Sequence, residues 1–163
     1  GAAAVTVHGR YGTEFFRGRA DWEVIRRVKE AVRIPVVGNG DVGSPQEAAL
    51  MMELTGCDAV MIGRGAIADP TLLRRTVRYL TRGEQEPPPE SRVRLEQARR
   101  YLRLAALRLG EGEDLACPKR HLLRFLRGFP GAAALRGRIA RAASLAELEA
   151  ILDGLPRGEA AGG

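Results

Sequence analysis

Two short runs of this sequence carry the residue types that can close around a phosphate group. Asn39-Gly40-Asp41 directly follows one apolar run, and Gly63-Arg64-Gly65 directly follows the next. Glycine lets a backbone approach a ligand closely and present its N–H groups. The second run stands at the predicted start of a short helix around residues 66–68, whose first turn adds free donors and the positive end of a dipole. Such glycines can also do no more than make tight strand-to-helix turns. Two loops in succession, one with an arginine, favour phosphate. Asp41 would repel that anion, so its carboxylate is expected to cap or brace its own loop. His8-Gly9-Arg10 closes an earlier apolar run. A histidine there can face a ligand or satisfy a nearby carbonyl, and the Arg10 fork suits an anion or a structural carboxylate.

The remaining reactive side chains point elsewhere. Cys57 and Cys117 lie far apart and form no metal-ligand spacing. Cys57 reads as a small buried hydrophobe ahead of a strand. Cys117 and His121 are four apart, but two ligands do not make a zinc site, so no metal is expected. Lys119, Arg120, Arg124 and Arg127 share one predicted helix with His121. From residue 92 to 141 there are 13 Lys and Arg against 4 acids, a local balance of +9 in a chain of net charge +6. Such a block suits a polyanion such as RNA, the alternative being a solvated arginine-rich surface.

These residues need elements to hold them. In 163 residues, 45% hydrophobic, there is material for one domain or two small ones. No run approaches the ~18 apolar residues of a membrane span, and residues 1–7 read as a buried strand rather than a signal segment. Nothing asks for an oxidising compartment, so a cytoplasmic location is expected. Strands are predicted at residues 2–7, 34–38 and 58–62. A helix over 22–32 is capped by Asp21. A second, to about residue 54, is opened by the capping box of Ser44 and Glu47 with Pro45 between them. A third, opened by Asp69 and Pro70, runs to about residue 80. The β-α-β-α-β-α order predicts an α/β fold with a parallel sheet, and the polar runs all fall at C-terminal strand ends. There both a (β/α)8 barrel and an open doubly wound sheet place their ligands.

Beyond a stiff linker containing Pro87-Pro88-Pro89 the strand pattern stops. A helix from a Ser91 cap to residue 109 is predicted, with Gly110 as its stop. A second begins at Pro118 and ends near Gly128. A third, over 132–142, is interrupted by Gly137, and a last one is opened by Ser144 and Glu147 and ends at 152.

At these residues the sequence resembles the tRNA-dihydrouridine synthase family. The resemblance is carried by His8-Gly9-Arg10, Gly18, Ala20-Asp21-Trp22, Ile34-Pro35-Val36, Asn39-Gly40-Asp41, Thr55-Gly56, Asp58, Val60-Met61-Ile62-Gly63-Arg64-Gly65 and Lys119-Arg120-His121-Leu122. Order and spacing match over about residues 2–153. The resemblance implies the C-terminal portion of an FMN-binding (β/α)8 TIM barrel at residues 1–82 and a Pro-rich linker at 83–90. A small all-α tRNA-binding domain at 91–153 and a tail at 154–163 follow. It implies a flavoprotein oxidoreductase that uses NADPH to reduce FMN and then reduces uridine in tRNA to 5,6-dihydrouridine, a monomer when full length. Cofactor contacts are implied at His8, Arg10, Asn39, Gly40, Asp41, Gly63 and Arg64, with His8 also near the substrate and the phosphate held mainly by backbone N–H groups. RNA contacts are implied at Lys119, Arg120, His121, Arg124 and Arg127. A base inside folded tRNA has to be extruded to react.

Two departures qualify this expectation. Where the family usually continues with threonine and arginine, then glutamine and tyrosine, this chain has Tyr11, Gly12, Thr13, Glu14, Phe15 and Phe16. The family's proton-donating cysteine and flavin-contacting lysine are expected upstream of these 163 residues, so no catalytic residue is assigned. Two other readings stand beside it: another FMN- or phosphate-binding barrel oxidoreductase, and a non-catalytic RNA-binding fragment.

Overall fold

The computed structural model describes residues 1–10, 18–109, 114–129 and 131–155. They form two compact units, residues 1–66 with 70–88, and residues 67–69 with 89–163.

The first unit is built on a three-stranded parallel sheet, β1 (Val5–His8), β2 (Val36–Asn39) and β3 (Ala59–Met61), with β2 in the middle. Helix α1 (Trp22–Ala31) connects the first pair and α2 (Pro45–Thr55) the second. The short α3 (Arg64–Ala68) and then α4 (Leu72–Arg82) follow β3. Strand β1 begins later than predicted, because its ladder opens with the Val5 N–H on Pro35 O at 2.9 Å. One step earlier it would face Pro35 itself, which has no N–H to give. The same proline delays β2 to Val36. Asp58 is drawn out of β3: its carboxylate accepts from Lys29 Nζ at 2.8 and 2.7 Å and from the Val36 N–H at 2.7 Å.

Both predicted caps of the first two helices form. Asp21 Oδ1 accepts from Glu23 N at 3.0 Å, and Ser44 Oγ accepts from Glu47 N at 3.1 Å. The Glu47 carboxylate reaches back to the Gly43 N–H at 2.7 Å. Helix α4 starts at Leu72, not at Pro70; Thr71 precedes it without a side-chain cap bond, and the helix continues until Gly83 turns left-handed at φ +68°. Side chains on β1 and β2 alternate in burial. Val5, Val7, Val36 and Val60 pack with Ile25, Ala48 and Met51 from α1 and α2. The other face of the sheet carries the rows Thr6–Val37–Ala59 and His8–Asn39–Met61. No helix of this unit packs on that face among the described residues, and Met61 is 47% exposed.

The second unit is helical: α5 (Ser91–Ala106), α6 (Ala116–Phe125), α7 (Ala132–Arg141) and α8 (Leu145–Asp153). Leu95, Ala98 and Leu102 of α5 meet Leu122, Ile139, Leu148 and Leu152 in one core, each fully buried leucine stabilising it by about 1.5–3 kcal/mol. Several boundaries differ from expectation. Ser91 is the first helical residue rather than the cap, because Glu90 keeps the polyproline-like backbone of the run before it, at φ −59° and ψ 160°. Helix α5 closes at Ala106, where the Arg108 and Leu109 N–H groups both turn onto Ala105 O; Gly110 lies outside the described residues. Asp114 Oδ1 accepts from Ala116 N at 2.8 Å and starts α6 early. Pro118 then falls in the first turn, where its missing N–H leaves no bond unmade. Gly137 does not interrupt α7. Leu155, in the segment expected to be tail, is buried in the core, and residues 156–163 lie outside the described residues.

The linker is held on α4 at its start. The Glu86 carboxylate pairs with Arg74 at 3.1 Å and with Arg78, and Glu86 O accepts from Arg75 Nε at 3.1 Å.

Candidate functional site

The C-terminal ends of the three strands bring His8, Arg10, Asn39, Gly40, Asp41 and Arg64 together. Parallel register sets His8 beside Asn39 and Asn39 beside Met61. The Asn39 side chain fixes the ends of two strands by donating from Nδ2 to Met61 O at 2.7 Å. His8 Nδ1 lies 3.2 Å from Asn39 O. A carbonyl only accepts, so Nδ1 is the donor of this pair and Nε2 is the ring nitrogen not engaged by Asn39, on an exposed side chain.

Asp41 is the hub. Its Oδ2 accepts from the Ala20 N–H at 2.7 Å and from Arg10 Nη2, and its Oδ1 accepts from Arg64 Nη2 at 2.8 Å. Burial pushes the Asp41 carboxyl up, but the Ala20 N–H and the Arg10 and Arg64 guanidiniums outweigh it and hold it below the ordinary carboxylate range. The side chain therefore braces the loop. Arg10, 3% exposed at its side chain, is committed to that carboxylate and also donates to Gly18 O at 3.0 Å. Two guanidiniums around one carboxylate leave the corner positive. Asp41 sits at φ +52° and Gly40 at φ +137°, a conformation at Gly40 that essentially only glycine adopts. Gly63 differs: a Cβ built on it meets nothing within 4 Å. The fold itself does not require that glycine, and its backbone is open to a ligand.

The Lys119–Arg127 segment is less uniform than its sequence. Lys119 Nζ donates to Ala140 O at 3.1 Å, near the end of α7. His121 turns inward: its Nδ1 is 2.8 Å from the Tyr101 hydroxyl, and the rings meet edge to face at 5.2 Å. Arg120 and Arg127 are exposed and Arg124 is half-buried. Burial, then the charges of Arg120 and Arg124, push His121 below its usual 6.5. The unfolded chain then binds a proton that the folded chain resists. Stability present above pH 6.5 should be lost as pH falls toward the folded value. Urea midpoints of the helical signal between pH 7.5 and 5 should fall, and His121→Gln should flatten that trend. An unchanged trend would move its origin to another group.

Cys57 is buried and Cys117 exposed. Among the described residues no group of three or more His, Cys, Asp and Glu side chains is placed to hold a metal, and no helix is long and apolar enough to cross a membrane.

The sequence profile of the dihydrouridine synthase family matches residues 1–157. The chain belongs to the dihydrouridine synthase family. It is 39% identical over 156 residues to a probable tRNA-dihydrouridine synthase of Mycobacterium tuberculosis, covering 95% of this chain and 40% of that protein. A probable tRNA-dihydrouridine synthase of Rickettsia bellii is 37% identical over 139 residues, 85% of this chain and 43% of the relative. The probable tRNA-dihydrouridine synthase 1 of Synechocystis is 35% identical over 153 residues, 94% and 43%. The chain thus spans about two fifths of the length of the curated relatives it matches.

Several residues that shape this dihydrouridine synthase corner were not singled out as site residues. Trp22 Nε1 donates to Gly40 O at 3.0 Å and so aims the loop; the signal was an indole immediately after the helix-capping Asp21. Gly18 and Ala20 act through backbone groups, which no side-chain pattern advertises. Tyr101, which holds His121, lies 20 residues away on another helix. The departures at Tyr11, Gly12, Thr13, Glu14, Phe15 and Phe16 fall in residues 11–17, outside the described ones.

Proposed function

We propose that this chain supplies three C-terminal strands of the FMN-binding (β/α)8 barrel of a tRNA-dihydrouridine synthase, together with its helical tRNA-binding domain. The carrying observation is the sheet: parallel, helix-covered on one face only, with its polar residues gathered at C-terminal strand ends. A parallel sheet is normally buried on both faces, and barrel closure would bury the rows Thr6–Val37–Ala59 and His8–Asn39–Met61.

The residues present fit a phosphate-bearing cofactor. The open backbone at Gly63 and the positive corner of Arg10, Asp41 and Arg64 suit an FMN phosphate. Bound there, FMN would supply hydride chemistry, with NADPH as its reductant. Backbone at Asn39–Asp41 and Gly63–Arg64 would hold its phosphate, and Asp41 would keep the two arginines aimed. His8 would present Nε2 toward the ring and the uracil, its orientation fixed by Asn39 O. Arg120, Arg124 and Arg127 would meet tRNA backbone, with Lys119 and His121 shaping that surface from their bonds to Ala140 and Tyr101. Cys57 is buried ahead of β3 in the core between the sheet and its helices, and we assign the proton donor to neither Cys57 nor Cys117.

The test uses the full-length protein. Gly63→Asp places a carboxylate beside the phosphate position in open space, so the fold should survive while flavin released on denaturation falls below about one tenth of the unaltered level. Normal flavin content would remove the assignment. The 163-residue chain alone should retain little flavin, because three parallel strands close no barrel. Stoichiometric FMN on it as a monomer would contradict the barrel reading.

A further inference from the structure

A small cavity opens between the end of α6 and the start of α7. Its floor is apolar, made by Leu123, Leu126, Leu135 and Ile139, and its volume is about 190 Å³. Arg127 and Arg136 stand on its rim. Both are exposed, and neither guanidinium has a hydrogen-bond or ion-pair partner among the described residues. No carboxylate lines the cavity. Two other cavities of this unit differ on that point, since Glu96 lines one and Glu149 and Asp153 line the other.

We infer that this cavity receives one unstacked base of an RNA strand, with the flanking phosphates on Arg127 and Arg136. The inference rests on the proposed RNA-binding role and adds a specific subsite to it. Sites for whole drug-sized molecules run to about 300–1,000 Å³, so a smaller cavity suits one ring system of a longer ligand. An apolar floor matches the faces of a base, and two unpaired guanidiniums match phosphates. The carbonyl end of α6 lies beside the cavity and would repel an anion. Arg94 offsets this by donating from Nη2 to Phe125 O at 2.6 Å and to Arg127 O. Gly128 adds no side chain to the wall, and a Cβ built on it, at φ +75°, meets nothing within 4 Å among the described residues. Ala132, the first residue of α7, leaves room where a larger side chain would fill the cavity.

The experiment uses the 163-residue chain, bulk tRNA, and two single-stranded RNA hexamers. One hexamer carries 2-aminopurine at an interior position, and the other has an abasic site there. Insertion should raise 2-aminopurine emission, because the base leaves its stack for a site without aromatic quenchers. The abasic strand should bind about tenfold more weakly. Ala132→Phe should remove both the emission rise and that tenfold difference while leaving the salt dependence alone. Arg127→Gln with Arg136→Gln should lower the slope of log K against log salt by about 1.4, at roughly 0.7 per phosphate contact on a single strand. Equal affinity for the two hexamers with no change in emission would overturn the subsite while tRNA binding left the RNA role standing. Failure of tRNA and both hexamers to bind would overturn the RNA role and the subsite with it. Should Ala132→Phe lose its helical circular dichroism, the abasic comparison and the arginine pair decide alone.

Discussion

Gly40→Ala should lower the stability of the sheet unit by about 3 kcal/mol or more, a large fraction of what a small domain possesses. Two effects add. At φ +137° a side chain is strained wherever it points, and the new Cβ would lie 2.5 Å from Ala20 Cβ. Backbone strain of this kind costs about 1–3 kcal/mol, and forcing a methyl into packed surroundings costs about as much again. The neighbour is no flexible side-chain end that could swing away. It belongs to the segment whose N–H feeds Asp41 and which leads into the Asp21 cap. The chain's single tryptophan is a convenient probe, since Trp22 Nε1 donates to Gly40 O. Urea unfolding followed by its emission should show a clearly lower midpoint with little change in slope. A midpoint equal to that of the unaltered chain would mean that Gly40 relaxes freely and that the corner is not as tightly packed as its distances imply.

Leu122→Ala should destabilise the helical unit by about 2–5 kcal/mol. Leu122 is fully buried among side chains of α5, α7 and α8. Truncation removes apolar atoms from a packed core, and bundles of this size have little stability to spare. The melting temperature of the helical signal should fall by roughly 10–20 °C, as expected when a few kcal/mol are lost from a short domain. Leu107→Ala is the control. That leucine is 83% exposed, so its removal should change stability by less than about 0.5 kcal/mol. Similar shifts for the two variants would refute the assignment of Leu122 to the core.

The two units were legible in the sequence to different depths. In the first, strand order and helix spacing followed from local pattern, because each strand is a short apolar run bounded by polar caps. The capping boxes at Ser44 and Ser144 formed because each glutamate reaches its backbone target within its own turn. The loops at Asn39–Asp41 and Gly63–Gly65 were also visible, and so was the expectation that Asp41 would brace rather than bind. Its partners were not visible, since nothing local pairs Asp41 with Arg10, Ala20 and Arg64. The helical unit misled at its ends. A proline after Asp114 looks like a first residue, but the aspartate two residues ahead of Ala116 captured that N–H and moved the start. Ser91 lost its capping role to the extended backbone inherited from Pro87-Pro88-Pro89. A basic run such as Lys119-Arg120-His121 reads as one surface, whereas hydrogen bonds to Ala140 O and the Tyr101 hydroxyl divide it. Only Tyr101, on a different helix, reveals where His121 points.

The separations around Asp41 also bear on the order of folding. Its partners lie 31, 21 and 23 residues away along the chain. Local contacts form before such distant ones, because each distant pairing closes a long loop for a modest return. The capped helices and the bundle can assemble without the corner, whereas the corner needs both crossovers in place. Asp41→Ala should therefore act on one limb of the kinetics, accelerating unfolding while leaving the refolding rate nearly unchanged. The positive corner that suits a phosphate would be the last part of the sheet unit to close and the first to open, and a bound anion there would act chiefly as a brake on unfolding.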